Sequence, residues 1–160
     1  MTPCLGRLAH RVTLPLVTLA LLAGLLVAAF PGAALAQTSA QDVYSSGRDM
    51  LQRNDYAGAI EAFSRAIAMD PNLALAYVGR ATAYVYEGNQ QAALQDFNHA
   101  LQLDPNMAEA LYNRGVLLAQ TGDTQGAIRD LQRAADAFRQ RGDEQTAGMV
   151  SQAIGALQAQ

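Results

Sequence analysis

The sequence predicts an all-α fold: a solenoid of three helix-turn-helix units closed by a final capping helix. Three observations carry that expectation. One long period runs through the chain, apolar residues recur inside each period at helical spacing, and the composition suits closely packed helices. Half of the 160 residues are apolar, Ala is very common, aromatic residues are few and Trp is absent. A sheet draws on more β-branched and aromatic residues than this.

The period is legible in several series at once. Asp70-Pro71-Asn72 returns as Asp104-Pro105-Asn106, and the same step joins Ala59, Ala93 and Ala127, Ala66, Ala100 and Ala134, and Phe63, Phe97 and Leu131. Ile60, Leu94 and Ile128 keep it, and Gly47, Ala81 and Gly115 are small in register. Asn54-Asp55, Gly88-Asn89 and Gly122-Asp123 supply a turn at one phase of every unit. Small residues on both sides of that turn let two helices approach closely. Apolar sets such as Ile60, Phe63, Ile67 and Leu94, Phe97, Leu101 mark the buried helical face. Pro71 and Pro105 open a new unit after a helix has stopped, because Pro lacks the donor needed to continue one. One hairpin cannot bury its apolar face alone, so neighbours stack to form the core.

This pattern resembles the tetratricopeptide repeat family, which sets small, aromatic and Pro positions in a 34-residue helix-turn-helix. The stretches "AYVGRATAY", "ALYNRGVLL" and "DFNHALQLDPN" look most like its bacterial members. The resemblance implies a right-handed superhelix over residues 43–141, with repeats at about 40–73, 74–107 and 108–141. The third unit departs from the pattern. Arg139 stands where Pro is expected, so its second helix should run about a turn longer, until Gly142 ends it and Asp143 caps the next helix. Residues 142–160 then form a capping helix and tail, with Ala147, Val150, Ile154 and Leu157 on one face. Arg141-Gly142-Asp143 spells an adhesion tripeptide, but each residue has a local role as helix end, C-cap and N-cap. Arg80 and Arg114, on first helices, are expected to pair with Asp96 and Asp130 on the second helices of the same repeats, because counting from the turn places them opposite.

Residues 1–36 read as an address. Arg7, His10 and Arg11 form a basic start, Leu16 to Phe30 is an apolar run, Pro31-Gly32 breaks it, and Ala34-Leu35-Ala36 offers small residues to a signal peptidase. That order is a secretory signal peptide. An uncleaved membrane anchor is the alternative, since a spanning helix needs roughly 20 apolar residues and the run from Val12 almost reaches that. Residues 37–42 read as a short polar linker. The expected location is a periplasm, a lumen or the exterior, with no membrane contact after cleavage. Cys4 is the only cysteine, so no internal disulfide is possible.

The rest of the composition narrows function. There is no Lys, and beyond Arg7 and Arg11 the chain has 9 Arg against 14 Asp and Glu, a net charge of -5. That balance argues against nucleic acid and against anionic lipid. His99 is the one histidine after the address and lies at a polar phase, and no metal, cofactor or nucleophile-base set is expected. The reading is therefore a non-catalytic module that takes a protein or peptide partner, with a role in assembling a larger complex. The alternative is a structural scaffold that self-associates through stacked repeat ends as a homo-oligomer. The resemblance implies that first helices line a concave groove and assigns to it Tyr44, Arg48, Val78, Thr82, Tyr86, Glu109, Tyr112, Asn113 and Val116. Tyr77 and Tyr84 fall at its core phases. Some family members grip a terminal carboxylate with Lys, Asn and Arg. The matching positions here are Tyr44, Arg48, Gly79, Glu109 and Asn113; Lys is absent throughout and Glu109 would repel a carboxylate, so that grip is not expected. N-terminal sequencing of the exported protein should begin at Gln37; intact residues 1–36 in a membrane pellet would show the anchor instead.

Overall fold

The computed structural model describes residues 38–159, which form seven helices. The address of residues 1–36 and its cleavage point lie outside the described residues. The helices are α1 Ala40–Gln52, α2 Tyr56–Met69, α3 Ala74–Tyr86, α4 Gln90–Leu103, α5 Ala108–Gln120, α6 Thr124–Gln140 and α7 Glu144–Gln158. Three hairpins, α1–α2, α3–α4 and α5–α6, follow one another, and α7 packs on α6. First helices also touch across hairpins, α1 with α3 and α3 with α5, so they lie side by side along the inner side of the stack.

The turn inside each hairpin has one construction, which is used again between α6 and α7. Asn54, Gly88, Gly122 and Gly142 have φ of 61, 78, 90 and 79°. The next residue donates its N–H back to the third-last residue of the finished helix: Asp55 to Met50 O, Asn89 to Tyr84 O, Asp123 to Leu118 O and Asp143 to Phe138 O, at 2.8–3.0 Å. That is the Schellman ending, which needs a left-handed residue before the donor. The same four side chains then cap the following helix, accepting from Gly58, Ala92, Gly126 and Thr146 N–H. One residue thus closes one helix and opens the next. The turns between hairpins are built differently. Asp70 and Asp104 are extended, as a residue before Pro must be, and each carboxylate accepts from the N–H two residues on.

Where Arg139 replaces Pro, α6 runs to 17 residues against 14 in α2 and α4. Val150 of α7 is buried with Leu131 and Ala135, and Ile154 and Leu157 pack against them. The linker expectation fails at its C-terminal half, since Ala40–Asp42 are the first turn of α1. Ser39 accepts from Asp42 N–H at 3.1 Å, and the Asp42 carboxylate accepts from Ser39 N–H at 2.9 Å. Short polar residues that read as linker also form a capping box.

Phe63, Phe97 and Leu131 are the buried centres of successive units. The Phe63 ring lies so close to two helices that a Cβ on Gly47 would come within 2.8 Å and one on Gly79 within 2.5 Å. Gly47 belongs to the ring's own hairpin and Gly79 to the next, so one side chain sets both distances.

A polar seam runs beside this core. Arg80 donates from Nε and Nη2 to both oxygens of Asp96 at 2.7 and 2.8 Å, and from Nη1 to Ser64 Oγ at 3.0 Å. Arg114 repeats the arrangement, with Asp130 at 2.6 and 2.9 Å and Asn98 Oδ1 at 2.6 Å. The pairing within a repeat is as expected. The third bond, to the second helix of the preceding repeat, is additional, and it makes each guanidinium a bridge across three helices. Hydrogen bonding to Asp96 raises the Arg80 pKa.

Three outcomes follow from this packing. Asp96 and Asp130 are buried, so Arg114→Ala should cost about 3–5 kcal/mol in denaturant unfolding, because it strands a carboxylate. Replacing Arg114 and Asp130 together by Met and Leu should cost far less, and equal costs would refute the bridge. Gly79→Ala should cost roughly 1–3 kcal/mol, since the Phe63 ring has nowhere to move. The third outcome concerns pH. Hydrogen bonds from Ser39 hold Asp42 below the usual aspartate value, and those from Thr146 do the same for Asp143. A lowered folded-state pKa means stabilisation present above about pH 3.9 and lost as pH falls through the lowered value. NMR titration of both carboxyls should give midpoints below about 3.9; midpoints at or above it would remove the caps from the account.

Candidate partner-binding groove

The inner side of the stack places the nine expected groove residues unevenly. Tyr44 and Val78 are buried and present little surface to a partner. The Tyr44 ring packs 5.7 Å from Phe63, and burial pushes its phenol pKa up, with Glu109 adding to the rise and Arg48 opposing it. Phase alone puts both in the groove, and here phase misleads. It sets a side chain between neighbouring first helices, where Tyr44 packs into the Phe63 cluster and Val78 into the Phe97 cluster. Glu109 is exposed but holds Arg141 at 2.7 Å across the hairpin ends. Arg48 is exposed on α1 and has no ion pair among the described residues.

The other five converge. Thr82, Tyr86, Tyr112, Asn113 and Val116 line one cleft of about 260 Å³ between α3 and α5, together with Val85 and Gln120, over a floor of Phe97 and Leu117. Tyr86 is 63% exposed and Tyr112 38%. The Thr82 hydroxyl donates to Val78 O at 2.8 Å, which leaves its oxygen free to accept. No charged residue lines the cleft.

The opening at this step of the stack has a residue-level cause. Gly79 and Asn113 occupy the same phase, one period apart. Gly79 lets the Phe63 ring close the step from α2 to α3. Asn113 puts a side chain there instead, and α4 meets α5 less closely than α2 meets α3. The cleft is what remains above Phe97.

Besides Val85, Phe97 and Leu117, two further contributors lie outside the expected set. Gln120 sits at the phase of Tyr86, one period on, so the repeat itself contains that signal. Tyr56 carries none. It belongs to α2, yet its ring stacks on Tyr86 at 4.8 Å with planes 9° apart, and its hydroxyl donates to Asn54 Oδ1 at 2.9 Å. That contact joins two hairpins and depends on how α2 meets α3. Tyr77 is buried and Tyr84 half-buried against the core, as expected. His99 is exposed and stacks on Tyr77 at 4.3 Å. Among the described residues no three His, Cys, Asp or Glu side chains gather as a metal site, and no helix is long and apolar enough to cross a membrane.

Family models of the tetratricopeptide repeat match residues 47–85, 74–107 and 100–155, which together run through all three hairpins and into α7. The chain belongs to the tetratricopeptide repeat family. No curated protein matches it significantly. Solved tetratricopeptide structures share the fold. The TPR2B domain of yeast Sti1, in its pHsp70 complex, is 21% identical with a TM-score of 0.70, covering 75% of this chain and 96% of that one. The type III secretion translocator chaperone SycD of Yersinia enterocolitica is 18% identical with a TM-score of 0.70, covering 79% and 90%. PcrH in complex with the chaperone binding region of PopD is 20% identical with a TM-score of 0.70, covering 74% and 90%.

Proposed function

We propose that this tetratricopeptide protein is a non-catalytic interaction module that takes a segment of a partner protein along the inner side of its stacked first helices. The observation that carries this reading is the uncharged cleft between α3 and α5, walled by two exposed tyrosines in a chain with few aromatic residues. Tyr supplies large, rigid contact area and a polar tip, which is why it dominates binding hot spots. The similar structures named above as complexes, with pHsp70 and with the chaperone binding region of PopD, support a binding role by analogy of fold. The basic, apolar and Ala-Leu-Ala order of residues 1–36 supports work outside the cytoplasm, in assembling an envelope or lumenal complex.

The experiment is a cross-linked pull-down from the native envelope fraction, followed by titration of the purified partner. Tyr112→Ala should weaken binding by about 1–2 kcal/mol and leave the thermal unfolding midpoint unchanged. Added salt should weaken binding only modestly, because few ion pairs form. Unchanged affinity for Tyr112→Ala, with cross-links mapping to α2, α4 and α6, would move the site to the other face.

A further inference from the structure

We propose that the cleft between α3 and α5 selects one uncharged aliphatic side chain from the interior of a partner chain, and that Tyr56, outside the cleft, holds Tyr86 in place as one of its walls. The proposal rests on the groove reading above and names the chemistry of what the groove takes.

Size is the first argument. About 260 Å³ falls below the roughly 300–1,000 Å³ of small-molecule sites, so the cleft suits a side chain and not a cofactor. Charge is the second. The arginines of α3 and α5 are both committed, Arg80 to Asp96 and Ser64, Arg114 to Asp130 and Asn98. An acidic anchor or a terminal carboxylate would lose its hydration over Phe97 and Leu117 and meet no cation there, and a basic anchor would meet no carboxylate. At the rim, Asn113 and Gln120 each offer a donor and an acceptor, the complement of a peptide backbone that continues in both directions.

The third argument is the wall itself. An exposed tyrosine loses rotamer freedom when a partner immobilises it, and holding it beforehand removes that penalty. Tyr86 is held by the Tyr56 ring at 4.8 Å, and Tyr56 by its hydrogen bond to Asn54, whose left-handed backbone is fixed by the helix ending. Tyr56 is therefore a positioning residue acting through Tyr86.

The test uses the full chain with ¹³C-labelled tyrosine rings, whose six signals can be assigned by Tyr→Phe variants. The probes are the blocked pentapeptide acetyl-Gly-Ser-Leu-Ser-Gly-amide, its Glu and Arg counterparts at the central position, and the Leu peptide with a free carboxylate. The Leu probe should shift Tyr86 and Tyr112. The charged probes should bind at least about tenfold more weakly, and freeing the terminal carboxylate should gain nothing. Tyr56→Ala should weaken the Leu probe roughly three- to tenfold, whereas Tyr56→Phe, which keeps the stacked ring but loses the bond to Asn54, should lose less. Charged probes binding equally well at the same two rings would overturn the selectivity and leave the groove standing. A Leu probe that shifts Tyr77 and Tyr84 instead would overturn both, as would no shift by any probe combined with loss of the Tyr112→Ala effect on the partner. No shift by any probe while that effect persists would overturn the side-chain subsite alone. Parent-like binding by Tyr56→Ala would remove Tyr56 from the account.

Discussion

Everything in this molecule depends on a large side chain being buried by the next hairpin along. Phe63, Phe97 and Leu131 each sit between the two helices of their own hairpin, but the hairpin alone does not cover them. Phe63 is closed from below by Gly47 and from above by Gly79. The free energy that orders one unit is therefore released only when its neighbour docks, which is why such chains fold as stacks and why α7 must cover Leu131 at the end.

The arginine bridges give that apolar contact a register. A ring in a bed of small residues tolerates some sliding of one hairpin over another. A guanidinium bound through three of its nitrogens to a carboxylate on one side and a hydroxyl or amide on the other does not. Burial makes the pair exacting, because a misplaced partner leaves a charge without compensation. The bridges occur at the two inner steps, from α2 through α4 and from α4 through α6. Ser46 and Ala62 occupy the phases of Arg and Asp in the first unit, and Gly148 takes the Arg phase in α7. The seam thus stops at both ends of the stack.

The groove is an exception to the close packing and owes its position to a single phase. Where the stack has Gly79, the ring below fills the step. Where it has Asn113, the step stays open and Tyr86, Tyr112 and Gln120 look onto it. A repeat protein can place a site this way without altering its scaffold. The positions that hold the hairpins together keep the repeat, and the positions between first helices are free to differ.

How much of this is legible in the chain divides along the same line. The repeat period, the turn pairs, the longer α6 and the intramolecular Arg–Asp pairs are legible, because each follows from spacing within one or two helices. The sequence determined the number of hairpins, the place of each turn and the identity of the buried ring. It did not determine which groove-phase residues reach solvent. Tyr44 and Val78 share the phase of Tyr112, yet the third lines the cleft while the first two pack into the clusters around Phe63 and Phe97. Nor did it reveal the Tyr56–Tyr86 stack or the reach of Arg80 and Arg114 into the preceding hairpin. Those contacts join elements through the distance and angle of packed helices, and only the folded stack fixes them.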